Sequence, residues 1–65
     1  MKADVWSPSF KLKNGEGGYL EQSDVDIPDN LEIGDVMYMY GRFKCKVTDI
    51  YILLGRLTIQ VKVID

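Results

Sequence analysis

VMYMYGRFKCKV (residues 36–47) and DIYILLGRLTIQVK (residues 49–62) decide how this chain folds, because each alternates around a single Gly-Arg interruption. A two-residue hairpin turn of the Gly-X kind puts its first central residue at positive φ, where glycine has no Cβ to clash. Gly41-Arg42 and Gly55-Arg56 therefore predict type II′ turns joining three consecutive strands. Each turn implies a register, and opposed residues share a face of the sheet. The first turn opposes Tyr40/Phe43, Met39/Lys44, Tyr38/Cys45, Met37/Lys46 and Val36/Val47. Val36, Tyr38, Tyr40, Phe43, Cys45 and Val47 are thus predicted to face inward, with Met37, Met39, Lys44 and Lys46 outward. The second turn opposes Leu54/Leu57, Leu53/Thr58, Ile52/Ile59, Tyr51/Gln60, Ile50/Val61 and Asp49/Lys62. Its predicted inner face is Ile50, Ile52, Leu54, Leu57, Ile59 and Val61, leaving Tyr51, Leu53 and an Asp49/Lys62 pair outside. Between the hairpins the inward parity slips from Val47 to Ile50, which a β-bulge near Thr48 and Asp49 restores.

Working outward, Val5-Trp6-Ser7-Pro8 reads as extended, since Pro8 disfavours helix at Ser7 and has no N–H for a ladder. Phe10 and Leu12 then alternate with Lys11 and Lys13, the period of a half-buried strand. Asn14-Gly15 signals a hairpin, widened by Gly17 and Gly18. A second strand over Tyr19–Ile27 follows, with Val25 and Ile27 alternating with Asp24 and Asp26, and Pro28-Asp29-Asn30 ends it. No helical apolar period of ten or more residues exists. The whole chain, residues 1–65, therefore reads as one all-β domain of five short strands with a three-stranded C-terminal meander.

The segment LEIGDV (residues 31–36) resembles the leucine-x-x-glycine-aspartate-valine lead-in to the second strand of many SH3-like barrels. That resemblance implies a small SH3-like barrel or β-roll built from two orthogonally packed sheets. An OB-like barrel is the alternative, although it normally carries a helix between its third and fourth strands. The peptide-binding SH3 family has an alanine-leucine-tyrosine-aspartate-tyrosine segment and a paired tryptophan that this chain lacks, so proline-rich peptide binding is not implied.

Composition narrows the function classes. Sixty-five residues with 46% hydrophobic and 28% charged residues suit one thin core, near the lower limit for a domain without staples. One cysteine excludes an intramolecular disulfide, and the absence of histidine excludes Cys/His zinc sites and Ser-His-Asp or Cys-His catalysis within the chain. Cys45 is expected in the core. No glycine-rich phosphate loop is present, and the spacing of Asp24, Asp26, Asp29 and Glu32 fails that of an EF-hand. No cofactor and no metal are expected. No apolar run approaches the roughly 20 residues of a membrane span, and with the lone cysteine this favours a cytoplasmic location.

The net charge of −2 is divided unevenly. Residues 14–41 hold seven carboxylates and no lysine or arginine, whereas the flanks hold eight cations against three carboxylates. Two function classes follow from the predicted outer faces. The first is a non-enzymatic interaction module, an adaptor, inhibitor or assembly subunit of the kind a phage or mobile element encodes. It docks to a protein partner or a second copy through Met37, Met39, Lys44, Lys46, Tyr51 and Leu53, because clustered exposed apolar groups mark interfaces. The second is nucleic-acid binding through Lys11, Lys13, Arg42, Lys44, Lys46, Arg56 and Lys62, against which the sequence pI near 4.9 argues.

Overall fold

The computed structural model describes residues 1–64 and consists of five strands, with no helix among them. They are β1 (Lys2–Lys11), β2 (Gly17–Asp26), β3 (Val36–Met39), β4 (Phe43–Leu53) and β5 (Arg56–Val63). They form one mixed sheet in the order β2-β1-β5-β4-β3, curled into a half-barrel, in place of two orthogonal sheets. All neighbouring pairs are antiparallel except β1 and β5, which run parallel over Asp4–Trp6 and Thr58–Gln60. The curl brings the two edges together. Beyond β3, the Tyr40 N–H donates to Gln22 Oε1 (2.9 Å), and the Tyr40 hydroxyl donates to the Glu21 carbonyl on β2.

β1 and β2 are joined by an Asn14-Gly15 loop in which Asn14 Oδ1 accepts the Glu16 N–H at 3.0 Å. Asparagine favours such loops because its side chain mimics a backbone turn. Gly17 is required for another reason: a Cβ there would lie 2.5 Å from the Phe10 carbonyl oxygen.

The core lies on the concave face. Ala3 and Val5 of β1, Met39 of β3, Cys45 and Val47 of β4, and Ile59 and Val61 of β5 are buried, with Ile27 closing one end. Leu20, Val25, Leu31, Met37, Phe43, Leu57 and Val63 pack around them. Ser7 is buried beside this set, and its hydroxyl has no hydrogen-bond partner.

Both meander turns differ from their predicted form, for one reason. Glycine occupies the second central position of each. The first turn is centred on Tyr40 (φ 55°) and Gly41 (φ 62°), the second on Leu54 (φ 50°) and Gly55 (φ 77°). Two positive φ values make the mirror-image turn whose twist matches that of the flanking strands. In the first hairpin Arg42 is an additional loop residue, so Met39 pairs with Phe43, Met37 with Cys45 and Val36 with Lys46. A one-residue slip exchanges the faces of a strand. Met37 and Met39 consequently point inward, and Val36, Tyr38 and Tyr40, expected inside, are exposed. The exchange has a physical cause: a buried tyrosine hydroxyl needs a partner, whereas methionine has no polar group to satisfy and fills an irregular core.

In the second hairpin Leu53 pairs with Arg56, Ile52 with Leu57 and Ile50 with Ile59. The pairing has moved by a whole step, so the faces keep their predicted identity. The bulge at Thr48 is present, between the Val47/Val61 and Asp49/Gln60 pairs. The expected Asp49/Lys62 pair is absent, because Lys62 opposes Lys46. Ile50, Ile52 and Leu54 are nonetheless exposed rather than core. β3 covers β4 only over Phe43–Lys46 and β1 covers β5 only over Thr58–Gln60, so the end of this hairpin projects beyond the half-barrel.

Candidate functional site

The outer face of β2, β1, β5 and β4 carries a second side-chain cluster. Alternation along β1 sends Val5 and Ser7 inward and Trp6 outward, where its indole crosses β5 and Nε1–H donates to the Tyr51 hydroxyl at 2.7 Å. Thr58, which lies between Asp4 and Tyr51 in the ladders, is buried on this face. Tyr19 of β2 completes the cluster, its ring centroid 6.1 Å from that of Trp6 at a tilt of 44°. The Tyr19 hydroxyl donates to Glu21 Oε2 at 2.9 Å, and this bond to a carboxylate raises the phenol's pKa above its ordinary value.

Beside the aromatics, Arg56 donates from Nε and Nη2 to Asp4 Oδ2 and Oδ1 at 2.7 and 2.9 Å, and from Nη2 to Asp24 Oδ1 at 2.9 Å. The guanidinium hydrogen bonds lower the pKa of Asp4, and the two carboxylates raise that of Arg56. Asp24 is held at φ 54°, a left-handed conformation that aspartate tolerates better than most residues. Trp6, Tyr19, Glu21, Leu53, Leu54 and Arg56 border a depression of about 350 Å³. Leu54, at the hairpin tip beside it, is 94% exposed.

The residues expected to form one docking patch separate into three places. Met39 is fully buried and Met37 packs against the core, so neither methionine presents an outer surface. Lys44 and Lys46 do face outward, opposite Tyr38 and Val36. Tyr51 is half-buried beneath Trp6, and Leu53 is exposed at the depression. The seven expected nucleic-acid contacts also divide. Arg56 is engaged by Asp4 and Asp24, and Arg42 pairs with Glu16 while its guanidinium lies 4.7 Å from the Phe43 ring centroid. Lys11 ends β1, Lys13 lies in the β1–β2 loop, and Lys44, Lys46 and Lys62 share the outer face with Arg56.

Trp6, Tyr19 and Leu54 were missed as site residues by sequence reasoning. The period-2 run Val5-Trp6-Ser7 already carried the signal for Trp6, but which strand lay beside it depended on the parallel β1/β5 pairing. Cys45 is buried in the core, and that burial raises its thiol pKa. Among the described residues no group of three or more Asp, Glu, Cys or His side chains is placed to hold a metal ion. The acidic segment disperses instead, with Asp24 on Arg56 and Asp26 on Lys2. No helix of the described residues is long and apolar enough to cross a membrane. No family model matches the chain, and no curated protein or solved structure is significantly similar to it.

Proposed function

We propose that this chain is a non-enzymatic protein-interaction module that docks through the β4–β5 hairpin tip and the outer face beside Trp6. The observation that carries the reading is Leu54. Left-handed backbone at a residue with a Cβ costs about 1–2 kcal/mol, and Leu54 adopts it while leaving 94% of its surface in water. Asparagine or glycine would make the same turn at lower cost and without exposing an apolar side chain. Strain held at an exposed apolar residue points to contact with another molecule. Ile52 and Leu53, 66% and 53% exposed, extend the same apolar end.

Leu54→Glu tests this in the source cell. Capture of a partner by the wild-type chain and its loss in the variant, with an unchanged melting temperature, is the expected result. A strict monomer in light scattering whose pull-down profile is identical for wild type and variant ends the proposal.

A second reading is favoured by a separate observation: Tyr38, Lys44, Lys46 and Lys62 share one outer face, and Lys46 directly opposes Lys62. Like charges directly opposite destabilise a sheet, so an anionic strand stacked on Tyr38 would relieve them. A salt titration with single-stranded oligonucleotides decides it, because backbone-driven binding weakens steeply with salt. The finer fold reading, an SH3-like roll in preference to an OB-like barrel, is supported by the Leu31–Val36 segment and by the helix-free link between β3 and β4.

A further inference from the structure

We propose that the depression beside Trp6 receives a cationic side chain, lysine or arginine, from an extended segment of the docking partner; this rests on the docking reading above. At about 350 Å³, it sits at the low end of ligand pockets, which run from roughly 300 to 1,000 Å³, and so suits one long side chain. Its lining includes Trp6, Tyr19, Leu53 and Leu54. The Trp6 ring is held in place by its bond to Tyr51, so the aromatic surface is ordered before anything binds.

Charge selects among occupants. Among the described residues lining the depression Arg56 is the one cation, and Asp4 and Asp24 outweigh it, leaving that triad at −1. Glu21, which also lines the depression, adds a second negative charge. An acidic side chain is repelled here, and a purely aliphatic one uses the walls but not the charge. A lysine or arginine uses both, since its stem packs on apolar carbons while its head lies over an aromatic face near carboxylates.

The chain's single tryptophan supplies the readout, because Trp6 gives the only indole N–H resonance. Blocked pentapeptides Gly-Ser-X-Ser-Gly, with X arginine, lysine, citrulline or glutamate, are titrated into the intact protein. Arginine and lysine peptides are expected to shift the Trp6 indole signal saturably, and citrulline to bind about 3–30-fold more weakly, the range of one cation–π contact. Glu21→Gln should weaken the arginine peptide several-fold while leaving the melting temperature unchanged. Equal binding of the citrulline and arginine peptides, or no Trp6 shift with either, overturns the assignment. If that happens while Leu54→Glu still abolishes partner capture, docking stands and the cationic occupant falls. If arginine peptides bind at Trp6 but Leu54→Glu leaves capture intact, the pocket stands and the tip reading falls.

Discussion

The two hairpins of the meander use the same turn, and they treat its strained residue in opposite ways. Tyr40 and Leu54 each precede a glycine and each adopt positive φ. Tyr40 is tied down, its N–H on the Gln22 side chain and its hydroxyl on the Glu21 carbonyl, so the strain helps close the half-barrel. Leu54 makes no such return to the fold and stands almost fully in water. The first tip is therefore tied into the fold, and the second is the one on which the docking proposal rests.

The contrast can be broken most severely at the register that separates the hairpins. Met39→Ala should cost about 2–5 kcal/mol, the range for emptying a buried methionine site, whereas Tyr38→Ala on the same strand should cost less than about 1 kcal/mol. Urea denaturation measures both, and a larger loss at Tyr38 would restore the register in which tyrosines face inward. Next comes the strain itself. Leu54→Asn should stabilise the fold by about 0.5–1 kcal/mol by suiting the turn, whereas Tyr40→Asn should destabilise it, because the hydroxyl's bond to the Glu21 carbonyl is lost while only the backbone bond to Gln22 remains. If both substitutions stabilise, Tyr40 does not clamp the barrel.

Tyr51→Phe removes the acceptor of the Trp6 indole and should cost about 1 kcal/mol, the usual net worth of one hydrogen bond. The indole proton resonance should also move to its solvent-exposed position. The smallest effect concerns acid. Asp4 has its pKa lowered by Arg56, so its contribution to stability is complete above the unfolded value of about 3.9 and is lost as pH falls through the lower folded value. An acid titration of the melting temperature should show this loss below about pH 4, reduced in Arg56→Met. An identical profile in that variant would mean that the ion pair adds nothing to the fold.

Particular residues mark how far the sequence could be read. The β-class, the first hairpin at Asn14-Gly15, the bulge at Thr48 and the inward set Cys45, Val47, Leu57, Ile59 and Val61 follow from alternation and turn chemistry, which act over a few residues. The fate of Met37 and Met39 did not follow, because a Gly-Arg pair is compatible with glycine first or second in the turn. That choice, with one added loop residue, decides a whole strand's facing. Nor did the site. Tyr51 and Leu53 were legible as outward residues, but Trp6, Tyr19 and Glu21 join them only because β1 lies between β2 and β5.

By itself, then, the sequence determined strands, the positions of turns and the exclusion of histidine-based and intramolecular-disulfide chemistry, all matters of local geometry and residue inventory. Only the tertiary structure decided which methionines are core and which leucines are surface. It did so because register answers to polar groups that must be satisfied in the interior, and because β1 and β3 stop short of the β4–β5 tip. Leu54 is exposed by the length of its neighbours, which no pattern within its own strand records.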